Sequence, residues 1–254
     1  PFPIYNPEEY GYTEKVGEWK YGEDITATLW WNGIKWENDG KACVLVFEGT
    51  GETWTAKEAE IIYGVPYAPW IWIDEYADYI VKAVVGEGIT KVIDLQLYDT
   101  EYIMLPNSLK EIGRYALSAS KIVSIVIPKG VKRIEDYAFY CSELTSVIIP
   151  EGVEYIGTCA FDRCHLTEIN LPDSLKFIGS AAFGIQHIIN AEENQVSEVV
   201  IPAGVEKIGF GAFIGRYGMK IYLEGKDNDA DFDKGWNDDG FNRKIEVIYN
   251  YKRE

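Results

Sequence analysis

Leu144-Thr-Ser-Val-Ile-Ile-Pro-Glu-Gly-Val-Glu-Tyr-Ile-Gly-Thr-Cys-Ala-Phe161 is one turn of a pattern that recurs through the middle of the chain. Its central phrase returns as Leu105-Pro-Asn-Ser-Leu-Lys-Glu-Ile-Gly113, Ile127-Pro-Lys-Gly-Val-Lys-Arg-Ile134, Leu171-Pro-Asp-Ser-Leu-Lys-Phe-Ile-Gly179 and Ile201-Pro-Ala-Gly-Val-Glu-Lys-Ile-Gly209. Pro106, Pro128, Pro150 and Pro172 stand 22 residues apart, and Pro202 follows after an insertion of 8. A degenerate first copy runs Val85-Gly-Glu-Gly-Ile-Thr-Lys-Val92, making six rungs. A period this short implies a solenoid, in which each unit buries its apolar face against its neighbours only.

Within one unit the residue types predict the path of the chain. Leu144 to Ile149 reads as a strand that Pro150 ends by withholding a ladder donor. Gly152 allows a turn, with Ser108 and Ser174 at the same place in sister rungs. Val153 and Ile156 point inward, and Gly157 permits a second bend. Ala160-Phe161 closes the coil and recurs as Ala138-Phe139, Ala182-Phe183 and Ala212-Phe213, with Ala116-Leu117 as the weakest copy. The alanine must be small where backbone passes close. The phenylalanines are predicted to stack as a buried spine, because each ring covers a large apolar area. Successive strands pair in parallel, ~4.8 Å apart.

Leu-x-x-Val-x-Ile resembles the strand of a leucine-rich repeat, although Gly or Ser replaces the usual Asn. Together with Ile-Pro-x-Gly-Val-x-x-Ile-Gly and Ala-Phe, the pattern resembles the BspA-like subclass of bacterial leucine-rich repeats over residues 80–223. Asp24–Leu29 with Ala42–Gly51 is similar to that family's opening β-hairpin. Pro69-Trp70 and Tyr76–Ile80 resemble its lead-in, and Ile221–Glu224, Asp233–Asn237 and Val247–Tyr251 its closing cap. The insertion after Phe183 is peculiar to this chain. The resemblance implies a mainly β solenoid with one parallel strand per rung of about 22 residues. It also implies a secreted or surface-attached bacterial interaction module, in a family associated with adhesion to host proteins or other cells.

The ends read as caps: residues 1–79 an N-terminal β-hairpin and short helix, 80–223 the array, and 224–254 a C-terminal cap. An uncovered parallel edge would invite association. Residues 24–50 alternate as a hairpin around Asn38-Asp39-Gly40. Thr55-Ala-Lys-Glu58 is a capping box for a helix through Ile62. Seven of the eight tryptophans (Trp19, Trp30, Trp31, Trp36, Trp54, Trp70 and Trp72) fall in the first cap. They form either its core or a platform of exposed rings for sugars. Trp30 and Trp31 face opposite sides of one strand, so only one is expected inside.

Composition excludes several classes of function. A net charge of −17, with −10 of it in residues 1–79, opposes nucleic-acid binding. No apolar run approaches the ~20 residues that span a bilayer. The chain opens at Pro1 without a basic or apolar leader, as expected of a mature protein whose targeting segment is gone. His165 and His187 have no sequence neighbour to act with, and no nucleophile elbow, zinc motif or phosphate loop is present, so neither an enzyme nor a cofactor is expected. Asp227-Asn-Asp229-Ala-Asp231-Phe-Asp233 alternates acids but lacks the glycine of a calcium loop, and a solvated turn without metal is expected. Cys43, Cys141, Cys159 and Cys164 show no framework spacing. A bridge between Cys141 and Cys164 is conceivable, and free thiols packed as small hydrophobes are the simpler expectation.

One surface stands out. Where Leu144, Val147 and Ile149 point in, the residues between them point out. The outward column at Ile148 reads Val84, Met104, Val126, Ile148, Asn170, Val200, Tyr222. Its neighbour reads Lys82, Tyr102, Ser124, Ser146, Glu168, Glu198, Lys220. β-Propensity alone favours Val and Ile at such positions, yet a contiguous apolar stripe where solvent belongs is also the mark of a partner-binding sheet. The candidate site is therefore Tyr102, Met104, Val126, Ile148, Asn170, Glu168, Val200 and Tyr222, with Tyr102 and Tyr222 as aromatic anchors. An extracellular protein or a glycan is the expected ligand. The insertion Gly184–Gln195 is a second candidate.

Overall fold

The computed structural model describes residues 6–35, 41–63, 68–72, 80–185, 196–216, 218–238 and 245–253. After a short 3-10 helix at Pro7–Tyr10 come three strands, β1 (Glu14–Lys20), β2 (Asp24–Lys35) and β3 (Lys41–Glu52), paired antiparallel in order. The tip Asn38-Asp39-Gly40 lies outside the described residues. Helix α1 (Ala56–Tyr63) follows, and its capping box forms as predicted: the Thr55 amide donates to Glu58 Oε2 at 2.7 Å and the Glu58 amide to Thr55 Oγ1 at 3.3 Å.

The array then coils through β4 (Ile80–Val85), β5 (Ile89–Val92), β6 (Tyr102–Met104), β7 (Glu111–Ile112), β8 (Ser124–Val126), β9 (Arg133–Ile134), β10 (Ser146–Ile148), β11 (Tyr155–Ile156), β12 (Phe177–Ile178), β13 (Glu198–Ile201) and β14 (Lys207–Ile208). β15 (Lys220–Glu224) and β16 (Glu246–Tyr251) close it. The strands at the Leu-x-x-Val-x-Ile positions run parallel as predicted but in separate pieces, β4 with β6, β8 with β10 and β13 with β15, with Val84 beside Met104 and Ile148 beside Val126. β3 serves both the hairpin and the coil. Its first half pairs in parallel with β4 and its end with β5, so the hairpin's last strand templates the first rung.

A second parallel sheet, unforeseen from the sequence, runs β5-β7-β9-β11-β12-β14 through the x-Ile segments. Ile112, Ile134, Ile156, Ile178 and Ile208 are all buried in it. The glycine that follows four of these five isoleucines, Glu135 standing after Ile134, is needed less for a bend than for close approach. A Cβ on Gly157 would lie 2.5 Å from the Asp136 amide nitrogen, while the Gly157 amide donates to Ile134 O at 2.8 Å.

The third side is a ladder of turns. The amides of Leu117, Phe139, Phe161 and Phe183 donate to the carbonyls of Ala138, Ala160, Ala182 and Ala212, each at 2.8 Å. Tyr115, Tyr137, Cys159 and Ala181, one per rung, sit in the left-handed region with φ between 52° and 60°. Such a backbone costs a side-chain-bearing residue about 1–2 kcal/mol, and here the ladder on both sides of each residue holds it. The phenylalanine spine forms inside. Phe139, Phe161, Phe183 and Phe213 are fully buried and stack at 5.1, 5.3 and 5.6 Å with planes within 8°.

Serine at the Gly152 position ties rungs together. Ser174 Oγ accepts from the Gly152 amide and donates to Val153 O, both at 2.8 Å. Ser108 makes the same pair with Gly88 and Ile89. The closing cap extends the ladders: Asp233 N donates to Ile208 O and Ala212 N to Trp236 O, and the Trp236 ring packs against Phe232. One continuous core runs from Tyr21 to Ile245.

Candidate functional site

Alternation along the short strands builds the candidate surface. Ile103, Ile125 and Val147 turn inward and are nearly buried. Their neighbours face solvent: Tyr102 is 55% exposed, Met104 41%, Val126 65% and Ile148 58%. The parallel register sets Ser124 beside Ser146 and Val126 beside Ile148, and these residues line a shallow depression of about 500 Å³. Tyr102, Met104, Leu105, Ser124, Ser146 and Ile148 border it. Lys82 Nζ lies 5.6 Å from the Tyr102 ring centre, and partial burial lowers its pKa.

Sequence reasoning missed Val123, which is 51% exposed. The signal was present in the Leu-x-x-Val spacing. Two residues separate inward Ile122 from inward Ile125, so both Val123 and Ser124 lie outside, and the Val123 carbonyl accepts from the Thr145 amide at 2.8 Å.

The other candidate residues are placed differently. Glu168 and Asn170 are exposed but belong to a rung whose outer segment forms no strand, joined to the Ser146 rung by the Thr167 amide bonding Thr145 O at 3.1 Å. Val200 and Tyr222 face each other on a separate three-stranded sheet, β13-β15-β16. Tyr222 is half-buried, its ring 4.8 Å from Tyr251, so it is not a free anchor.

Val84 departs from expectation outright. It begins the outward column yet is only 3% exposed, packed with Val44 and Val46 beneath Tyr12 and Trp30. The apolar stripe is thus covered by the protein's own N-terminal segment at one end and bare from Met104 to Ile148. Burial there raises the Tyr12 hydroxyl pKa, with a smaller push from Cys43.

The expectation that only one of Trp30 and Trp31 is inside also needs correcting. Trp31 packs on the main core and Trp30 on the small outward cluster, each half-buried. Trp70 is fully buried, 4.7 Å from Tyr21 and 5.4 Å from Phe47. Trp19 and Trp54 are half-buried. No tryptophan is exposed among those whose side chains are described, a set that omits Trp36 and Trp72. Stacking on sugars needs open ring faces, and Trp19, Trp30, Trp31 and Trp54 each keep only part of their surface in water.

The remaining chemistry is sparse. His165 is exposed, while His187 and insertion residues 186–195 lie outside the described residues. None of the four cysteines is in a disulfide; Cys43 and Cys164 are buried, Cys141 and Cys159 half-buried. Burial pushes the Cys164 thiol up to about 12 and the Cys159 thiol to about 11, so both remain protonated at neutral pH. Arg216 is buried beside Phe183, donating from Nε to its carbonyl at 2.8 Å, and desolvation lowers its pKa to about 10.

In the acidic segment, Asp229 Oδ2 accepts from Trp236 Nε1 at 2.8 Å and Asp227 Oδ1 from Asn250 at 2.6 Å. Among the described residues, no three His, Cys, Asp or Glu side chains are grouped to hold a metal, and no helix is long and apolar enough to cross a membrane.

Comparison with known proteins agrees with the architecture. Residues 95–190 match the family described as BspA type leucine rich repeat region, in 6 copies. No curated protein matches the chain. Among solved structures, a leucine-rich repeat protein from Eubacterium ventriosum is 19% identical with a TM-score of 0.47, covering 84% of this chain and 45% of its own. The pneumococcal vaccine antigen PcpA is 14% identical with a TM-score of 0.44, covering 84% of this chain and 66% of its own. A leucine-rich repeat protein of T. pallidum is 18% identical with a TM-score of 0.35, covering 74% and 76%. At these TM-scores the likenesses add nothing to what the repeat itself establishes, and the chain spans under half of the first of these proteins. The stacked rungs and the turn ladder agree with the family match, which identifies residues 95–190 as a BspA-type leucine-rich-repeat region.

Proposed function

We propose that this protein is a non-enzymatic interaction module, secreted or held at a bacterial cell surface, that adheres to a protein partner through the outward sheet face. The observation that carries the reading is the bare half of the apolar column: Tyr102, Met104, Val126 and Ile148, all exposed on adjacent rungs. A spacer has no use for such a stripe, which lowers solubility unless a partner covers it. The flat face of short parallel strands suits a protein surface better than a small molecule, since its depression is shallow and no buried polar group converges on it. Val123 and Tyr102 widen the apolar centre, and tyrosine is a residue type enriched among binding hot spots.

The test is a screen of the purified protein against extracellular-matrix proteins and glycans, repeated with Ile148→Lys. The substitution sets a charge in the middle of the column without touching the core. Capture lost with melting temperature unchanged is the expected result. Unaltered capture would move the site to the front cap or to the insertion at Gly184–Gln195.

A further inference from the structure

We infer that the partner segment docking on this face is cationic, with an aromatic or branched aliphatic tip held between lysine or arginine residues. The inference rests on the reading of the face as a protein-binding surface and adds the chemistry of what it binds.

Two independent features point the same way. The first is an occupant already in place. At its covered end the apolar column carries Tyr12, laid on Val44, Val46 and Val84 beside Trp30. Tyr12 arrives on a segment that runs past the sheet, its neighbour Thr13 donating its amide to Trp31 O at 3.0 Å. An aromatic ring on β-branched positions of this column is therefore a packing the fold itself uses. From Met104 to Ile148 the same kind of surface continues with nothing on it.

The second feature is charge. Glu101, Glu143 and Glu168 are exposed around the bare stretch. The nearby ammonium groups are Lys121, paired with Asp99 and also in the field of Glu143 and Glu101, Lys82, charged over the Tyr102 ring, and Lys129 on the turn after Pro128, so the carboxylates, Asp99 included, still outnumber them. The chain as a whole carries −17. A segment flanked by carboxylates would meet like charge both at the rim and at long range, whereas a basic one is steered in. Ser124 and Ser146, side by side between the apolar residues, offer hydroxyls to its backbone.

Two synthetic peptides of equal length and equal Tyr, Leu and Val content test the inference, one flanked by lysines and the other by glutamates. Their affinities for the full chain are compared at low and high salt. The lysine-flanked peptide should bind at least about ten-fold tighter at low salt and lose most of that advantage at high salt. Ile148→Asp should abolish its binding. That variant adds a carboxylate, so attraction by net charge alone would instead grow stronger. Glu143→Gln with Glu168→Gln should weaken binding several-fold, while Glu60→Gln with Glu206→Gln, on other faces, should leave it unchanged.

Equal affinity for the two peptides, or no binding of the lysine-flanked one, would overturn the partner's charge. The binding face would still stand if the captured peptide were lost on Ile148→Asp. A lysine-flanked peptide that binds Ile148→Asp as well as the parent would show attraction to total charge, and the reading of the face would fall with the inference.

Discussion

The phenylalanine spine and the outward apolar column follow the same coil at the same spacing, and they meet opposite fates. Phe139, Phe161, Phe183 and Phe213 have no exposed surface, while Met104, Val126 and Ile148 have about half of theirs in water. The spine sits where the turn ladder closes the coil on itself, so each ring is covered by the rungs above and below and by the sheets opposite. The column points away from the coil's interior, where no other part of a rung can cover it. Only the hairpin end differs, because Tyr12 and Trp30 reach back over Val44, Val46 and Val84. An apolar repeat in a solenoid is therefore not evidence of burial by itself; position around the coil decides.

The largest expected effect lies in the spine. Phe161→Ala should destabilise by ~3–5 kcal/mol, since the ring leaves a cavity between two stacked neighbours that cannot collapse without breaking the ladder. Chemical denaturation measures this, and a loss under about 1 kcal/mol would remove the contrast between spine and column.

The next prediction divides the column itself. Val84→Lys should cost roughly 3 kcal/mol, because it sets an ammonium under Tyr12 and Trp30. Ile148→Lys, at the same position of a later rung, should stay within about 0.5 kcal/mol of the parent. Equal effects in thermal melts would mean that the N-terminal segment does not cover the column as described.

The smallest effect belongs to the turns between the faces. Glu87 accepts the amides of Asn107 at 2.9 Å and Ser108 at 3.1 Å, and the Asn107 bond foremost holds its pKa below the ordinary carboxylate value. A depressed folded pKa stabilises fully above the unfolded value of ~4.3 and loses that contribution as pH falls through the lower folded value. Glu87→Gln should therefore lower the melting temperature by roughly 1 °C at neutral pH, because the carboxylate is exposed and screened. The gap should close below about pH 4 as the parent's carboxylate is protonated. A gap that stays constant into acid would mean the carboxylate's charge contributes nothing to these turns.

Much of the architecture was legible in the order of residues. The spacing of Pro106, Pro128, Pro150 and Pro172 dictates the rung length, and Ala-Phe marks the closing corner, because close backbone approach admits only a small side chain there. The capping box at Thr55 and Glu58 was equally plain, being a local exchange of hydrogen bonds within one turn. The second sheet was hidden by brevity: two residues per strand, as at Tyr155-Ile156, carry no alternation to read. The left-handed backbone at Tyr115, Tyr137 and Cys159 was hidden for a different reason. Those residue types do not favour it, and neighbouring rungs impose it.

The sequence by itself thus determined the period, the register and the identity of the inward residues, all of which follow from near neighbours along the chain and from one rung to the next. The tertiary structure alone decided which outward residues stay bare. Val84 and Ile148 occupy the same repeat position, and what separates them is Tyr12, a residue distant in sequence that folds over one and not the other. Coverage is a property of what lies across space, and a repeat pattern read along the chain carries no record of it.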